Sequence, residues 1–336
     1  MARRDCVSVE RDFMTAIGID VGGTVIKGGV VSASGDILTK ATKATEAAGG
    51  VAHVIEQIAA LIATLRASCE GAPAPVCVGL GVPGNIDHEN GVVLASPNLN
   101  GWTDVSITRL VGESVGLPVV LDNDANCAAL GEAVCGVGRG ADSMVLLTLG
   151  TGVGSGLILG GKVWRGQTGL AGELGHSIVY VGGRRCACGQ SGCLEAYASA
   201  SSTARRAQEL LDAGEASSLR NLLDRGQTIT AKTVVQAAED DDPLAACVWE
   251  DTCRCLAVAC INIQHILDPQ YIVLAGGMSA AGEQLLEPVQ NAIDAMISKR
   301  FGKPPKVRLA RLGNDAGFIG AAMNARQVDR SRRVHE

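Results

Sequence analysis

The chain has 336 residues, 47% of them hydrophobic and 19% charged, with a formal net charge of −6 at pH 7. That length corresponds to about two domains, and the composition to a globular protein with a substantial core. The negative balance argues against nucleic-acid binding, which calls for a basic face. No run reaches the ~18 uninterrupted apolar residues of a membrane helix.

Residues 1–13 carry basic side chains with no apolar run behind them. They read as a tail or a misassigned start before Met14 rather than as a signal peptide, so a cytoplasmic location is expected. "TAIGID" then forms an apolar run ending in Asp20, followed by "VGGT" and a second apolar run, which reads as a hairpin with a glycine turn. "VAHVIEQIAALIATLR" places Val51, Ile55, Ile58, Ile62 and Leu65 on one face of an amphipathic helix. "VCVGLGVPG" reads as a buried strand entering a loop at Gly84. "LPVVLDNDANCAALGEAV" reads as strand, acidic turn and helix.

The layout restarts with "MVLLTLGTGVGSGLILGGKVW", again strand, glycine loop and strand, which predicts an internal repeat of low identity. Helices follow at about 198–212 and through 229–266. "YIVLAGGMS" is a strand running into Gly276 and Gly277, "KVRLARL" a further strand, and "DAGFIGAAMNAR" a closing helix. Strands alternating with helices predict an α/β protein, and two halves with matching glycine loops predict two lobes with a cleft between them.

The glycine loops carry the first chemical signal. Gly22, Gly23 and Thr24 in one half, and Gly150, Thr151 and Gly152 in the other, offer backbone N–H groups and hydroxyls to phosphate; plain hairpin turns have the same composition. No G-K-[ST] follows either loop, and the second leads into a strand, so neither is a P-loop or a dinucleotide fingerprint. Asp20, at a strand end, is placed to meet hydrated Mg²⁺ beside phosphates, or to hydrogen-bond within its own turn. In "LDNDAN", a carboxylate of Asp122 or Asp124 can orient a hydroxyl nucleophile and take its proton. Asp and Asn are also helix N-caps, so one carboxylate is expected to cap and the other to react.

Of twelve cysteines, Cys77, Cys127, Cys135, Cys247 and Cys260 lie in apolar company and read as small buried hydrophobes; Cys253 and Cys255 also read as structural. The loop 170–197 differs. His176, Cys186, Cys188 and Cys193 form H-x9-C-x-C-x4-C in a glycine-rich stretch that can bend round a metal. Three thiolates and an imidazole make a closed tetrahedral Zn²⁺ site with no open position, hence a structural one. It would hold Glu173 and Glu195 in place as acceptors for the hydroxyls of a polyol.

"IDVGGT", "LDNDANCAALGE", "LGTGVGSG", "GELGH" and "CACGQSGCLEAYAS" together resemble the ROK family of sugar kinases and sugar-responsive repressors, over residues 15–326. Within it the pattern looks most like the bacterial glucokinases. The resemblance implies the two-lobed, actin-like ATPase (ribonuclease H-like) fold with ATP–Mg²⁺ in the interlobe cleft. It implies a smaller lobe over 14–125, a larger one over 126–312, a closing helix at 313–326 packing back on the first lobe, and a tail at 327–336. It also implies Asp124 as catalytic base, and Asn123, Glu173, Glu195 and His176 as sugar contacts, with Gly84 and Asn98 of "SPNLNGW" on the sugar side. Asp20, Gly22, Gly23 and Thr24 match the first phosphate motif, Gly150, Thr151 and Gly152 the second, and Gly276 and Gly277 the adenosine loop. The reaction implied is phosphorylation of a hexose, foremost glucose, at its 6-hydroxyl, as in glycolysis, by a homodimer or dimer of dimers. N-acetylmannosamine, N-acetylglucosamine, fructose and allose are the alternative substrates, and polyphosphate an alternative donor. The repressor reading is disfavoured, because only 19 residues precede Asp20 and they hold no helix-turn-helix.

Overall fold

The computed structural model describes residues 14–335 except positions 70, 72, 97, 299 and 301; the expected tail at 1–13 lies outside the described residues. In chain order come β1 (Thr15–Val21), β2 (Val25–Val31), β3 (Ile37–Ala44), α1 (Gly50–Ala67), β4 (Pro75–Val82), β5 (Asn85–Asp87), β6 (Val92–Ala95), β7 (Thr103–Val105), α2 (Ile107–Val115), β8 (Val119–Asn123) and α3 (Asp124–Val134). Then follow β9 (Ser143–Leu149), β10 (Val153–Leu159), β11 (Lys162–Val163), α4 (Glu195–Ala198), α5 (Ala200–Asp212), α6 (Arg220–Asp224), α7 (Ala231–Glu239), α8 (Pro243–Leu267), β12 (Tyr271–Ala275), α9 (Glu283–Met296), β13 (Val307–Leu309) and α10 (Ala316–His335).

Two five-stranded sheets have matching orders, β3-β2-β1-β4-β8 and β11-β10-β9-β12-β13, so the repeated layout of the sequence is a repeated topology; β5-β6-β7 form a small third sheet. The chain divides into two units: residues 1–140, 156–171 and 311–336, and residues 141–155 and 172–310. The expected cut at 125/126 therefore differs from the observed division. Helix α3 stays in the first unit because it packs against α10 at Gly131 and Gly320. Helix α10 itself runs on to His335, through the stretch expected as a tail from 327.

In the first unit, β1 and β4 are parallel with Gly18 opposite Gly79. Both glycines face α10. A Cβ on Gly18 would lie 1.7 Å from the Phe318 carbonyl oxygen, and one on Gly79 1.9 Å from that of Ala321, so only glycine lets the helix lie this close. Alternation sends Ile17, Ile19, Val78 and Leu80 to the other core, with Val54, Ile58, Leu61, Ile62 and Leu65 of α1. Val51 and Ile55, expected on that face, are only partly buried against it. By length and composition α1 with its preceding turn is apolar enough to cross a membrane; here five of its side chains fill this core. The registers also align Asp20 with Gly81, and Gly81 with Asp122, across the carboxyl ends of β1, β4 and β8. Ligands of open α/β sheets bind at such ends.

In the second unit β9, β12 and β13 are parallel, with β12 between the other two. Helix α8 buries Leu256, Cys253, Cys255 and Cys260, whereas Cys247, expected to be buried, is exposed on its outer side.

Candidate active site and metal centre

The acidic turn is built where β8 meets α3. The cap of α3 is Asn123, whose side-chain oxygen accepts from the N–H groups of Ala125 at 2.9 Å and Asn126 at 3.2 Å. This corrects the expectation that a carboxylate caps. Asp122 is instead a buried ion-pair partner of Arg165, and Asp124 opens the helix as its first residue. Asn123 also donates from Nδ2 to the Gly84 carbonyl at 3.3 Å, tying the turn to the loop that follows β4. Beneath the turn, Cys127 is fully buried; burial, then Asp122, Asp20 and Asp124, push its thiol well above its usual range, so it stays neutral.

Asp20 lies in the same unit. Burial first, and the neighbouring Asp124 second, raise its carboxyl to about 6, while Lys27, its partner across β1 and β2, pulls it down. Lys27 is half-buried there, and its charge bears on Asp20. A carboxylate raised by neighbouring charge is one that a cation would stabilise.

The first glycine loop is tighter than its sequence implied. Gly22 spends its N–H on the Val25 carbonyl at 3.1 Å, so it is not one of the groups offered to phosphate. Thr45 braces the loop, donating its hydroxyl to the Gly22 carbonyl at 2.6 Å and its N–H to the Thr24 carbonyl at 2.9 Å. Gly23 and Thr24 form the exposed tip, and Gly23 lies against Asn98, itself exposed. Thr45 carries no motif, and nothing in the sequence around it marks the role.

In the second unit the loop Gly150–Gly152 is closed by the Gly150 N–H on the Gly152 carbonyl at 3.0 Å. Thr151 is exposed between them. The Glu195 carboxylate accepts from the Val153 N–H at 2.9 Å and crowds Gly152, where a Cβ would come within 2.4 Å of it. Glu173 is exposed; its carbonyl takes the His176 N–H at 3.0 Å. Ser155 anchors the same segment, donating to the Gly172 carbonyl and accepting the Leu174 N–H at 3.1 Å.

His176, Cys186, Cys188 and Cys193 come together, each offering a ligand atom, all within 4.8 Å of one another. The pairs Cys188 Sγ–Cys193 Sγ and Cys186 Sγ–His176 Nδ1 are each 3.7 Å apart. A tetrahedron with metal–sulfur bonds of about 2.3 Å has edges of about 3.8 Å, so these two edges match one and the donor set fits Zn²⁺. The loop reaches this shape through a turn from Cys186 to Gly189 and the pairing of Ile178 with Cys193. Four protein donors leave no position for substrate, which makes such a metal a cross-link.

Gly276 ends β12 at φ +83°, and a Cβ there would lie 2.6 Å from the Leu149 carbonyl oxygen; the position requires glycine. Just beyond it a cavity of 440 Å³ opens within the second unit, lined among others by Gly277, Met278, Thr230, Val235 and Trp249. Its size and mixed lining suit a nucleoside. Of these residues the sequence pointed only to Gly277. A larger cavity, 980 Å³, lies in the first unit along β8 and shares Arg165 and Asn324 with the acidic turn, but holds none of the expected site residues.

The ROK family model matches residues 16–328. The glucokinase of Halalkalibacterium halodurans is 39% identical over 317 residues, 94% of this chain and 96% of its own length. That of Thermotoga maritima is 39% identical over 306 residues, 91% and 95% of the two chains. A crystal structure of a ROK family glucokinase from Streptomyces griseus, in complex with glucose and AMPPNP, matches with a TM-score of 0.79 at 35% identity, covering 93% of this chain and 99% of that one.

Proposed function

Because the chain belongs to the ROK family, we propose that it transfers the γ-phosphoryl group of ATP to the 6-hydroxyl of a hexose, foremost glucose. The observation that carries this reading is the acidic turn: Asn123 is the helix cap and takes two N–H groups of α3, Asp124 shares only one of them, that of Ala125 at 3.0 Å through Oδ1, and we assign Asp124 as the base. Phosphoryl transfer passes through a loose transition state, and catalysis is mostly positioning and charge neutralisation. Asp124 accepts the proton of the 6-hydroxyl as that oxygen bonds to the γ-phosphorus and ADP leaves. Asn123, Glu173, Glu195 and His176 accept or donate hydrogen bonds to the other hydroxyls, with Gly84 and Asn98 completing the sugar side.

Gly23, Thr24, Gly150, Thr151 and Gly152 hold the phosphates, and Gly276 and Gly277 border the adenosine pocket. Mg²⁺ would supply charge neutralisation beside the phosphates, and Asp20 is the residue that would hold it. Zn²⁺ supplies a rigid cross-link, held by His176, Cys186, Cys188 and Cys193. The reading also entails a cytoplasmic, glycolytic enzyme that works as a homodimer or dimer of dimers.

The test is a coupled ADP-release assay on zinc-replete protein with ATP–Mg²⁺ and glucose, mannose, fructose, N-acetylglucosamine or N-acetylmannosamine. The expected result is the highest kcat/KM on glucose. Preference for an acetylated sugar would overturn the substrate and keep the chemistry; no turnover on any sugar would overturn the kinase reading.

A further inference from the structure

Asp122 is 2% exposed, and a carboxylate that deep persists only when its charge is paired and its lone pairs are used. Both conditions are met. Its Oδ1 accepts the Asn123 N–H at 2.9 Å and the Asn126 Nδ2 at 3.1 Å. Its Oδ2 accepts from Arg165 through Nε at 3.1 Å and through Nη2, and from Asn324 Nδ2 at 3.3 Å. Arg165 Nη2 also donates to Asn324 Oδ1 at 3.3 Å, which closes a ring of three side chains. They come from β8, the segment after β11, and α10, all in the first unit.

The two groups that Asp122 Oδ1 holds belong to Asn123 and Asn126, which flank Asp124 in sequence. Asn123 in turn caps α3. If Arg165 is removed, Asp122 is left as a buried, unpaired charge among the carboxyls of Asp20 and Asp124. With its ion-pair partner gone the carboxylate turns toward water, and so loosens its grip on the Asn123 N–H and the Asn126 amide. We propose that Arg165, with Asp122 and Asn324, is a positioning group for Asp124, setting where the base stands without touching substrate. This rests on Asp124 being the base. A brace that merely tied the segment to α10 would lower stability and leave kcat of the folded protein unchanged.

The test combines steady-state kinetics with amide hydrogen exchange on full-length Arg165→Met, Asp122→Asn and the double variant. Arg165→Lys and Asn324→Ala serve as milder variants should Arg165→Met fail to fold. For Arg165→Met, kcat is expected to fall about 30-fold with the hexose KM within about threefold, since misplacing a catalytic group by a fraction of an ångström acts on turnover. Added guanidinium ion should restore part of it. The double variant, with neither charge buried, should recover kcat to within about fivefold of the parent. The amides of Ala125 and Asn126 should exchange about tenfold faster in Arg165→Met and slow again in the double variant. Unchanged exchange, kcat within about twofold of the parent, or a loss that the double variant does not recover would each overturn the proposal. Exchange is read without turnover, so it decides whether Arg165 holds the turn even if no sugar is phosphorylated. Asp124→Asn, assayed alongside, shows separately whether the base assignment fails.

Discussion

The Glu195 carboxylate reaches the backbone N–H of Val153 at 2.9 Å, while its other oxygen lies 3.6 Å from Cys186 Sγ. One side chain thus joins the cysteine-rich loop to the glycine loop that precedes β10. Glu195 also stands two residues after the candidate ligand Cys193, so its hold on Val153 ties the chain leaving the four-donor cluster to the glycine loop. Two features that look separate in the sequence, 42 residues apart, are one piece of the second unit.

That joint makes a specific prediction for ATP. Glu195→Ala removes the acceptor for Val153, and the loop at Gly150–Gly152 should lose its brace. KM for ATP should rise about fivefold along with KM for the hexose, reflecting one lost hydrogen bond to a charged group. Glu195→Gln, which still accepts from Val153, should leave KM for ATP near the parent value. Equal effects of the two variants in initial-rate measurements would contradict the joint.

Cys188 is the exposed member of the cluster, so Cys188→Ser disturbs little besides ligation. Zinc content by elemental analysis should fall below one ion per chain. Tm should drop by about 5–10 °C, and the hexose KM should rise about tenfold as Glu173 and His176 lose their support. Chelation of the parent protein should reproduce the same changes. A variant that keeps both its metal and its KM would contradict the assignment.

Asp124→Asn keeps the size of the side chain and removes the base. Turnover should fall by about 10³-fold, within the range for general-base catalysis, while hexose affinity by calorimetry stays within about threefold. Substantial residual turnover would show that the proton goes elsewhere.

Asp242 gives the pH prediction. It caps α8 through the Ala245 N–H at 3.0 Å and also accepts from the Ser217 and Ser218 hydroxyls at 2.8 and 2.7 Å. Burial raises its carboxyl, but hydrogen bonds from Ala245, Ser218 and Ser217 outweigh that and hold it below its ordinary 3.8. A depressed folded value means the unfolded chain binds the proton first. The stabilisation is therefore complete above about pH 5 and lost as pH falls through 3.8 toward the folded value. Asp242→Ala should cost about 1–2 kcal/mol at pH 7 in urea unfolding, and the difference from the parent should shrink below pH 4. A constant difference across that range would contradict it.

The parts of the site that the sequence made legible share one property: their chemistry depends on local spacing. Gly22–Thr24, Gly150–Gly152 and the run from Cys186 to Cys193 each fall within a few residues, and loops that bind phosphate or metal are built from such short stretches. Asp20 and Asp124 could be singled out because each stands where an apolar run ends. The partners of these residues were not legible, because they come from far along the chain. Arg165 sits in "WRGQTG", which has no periodicity, and Asn324 is simply the first polar residue after the apolar run that opens α10. Their link to Asp122 exists only once β8, the segment after β11 and α10 are side by side. The role of cap was misjudged for a related reason: Asp122, Asn123 and Asp124 are all good caps by type, and only the exact residue at which β8 hands over to the helix decides between them. The expected division returned the chain to the first unit once, at the closing helix, which the observed units also do; it missed α3 and the second return at residues 156–171, which no local pattern marks.

The return at the closing helix has a consequence for how the protein is made. Helix α10 closes the face of β1 and β4 at Gly18 and Gly79, positions where no side chain can substitute for it. A ribosome delivers β1 before the second unit and α10 after it. The second unit, whose latest residue is Ala310, has all its parts earlier than the first unit does. The unit whose strands are made before the other is therefore completed after it, and until α10 emerges the Gly18–Gly79 face of β1 and β4 has no helix to cover it.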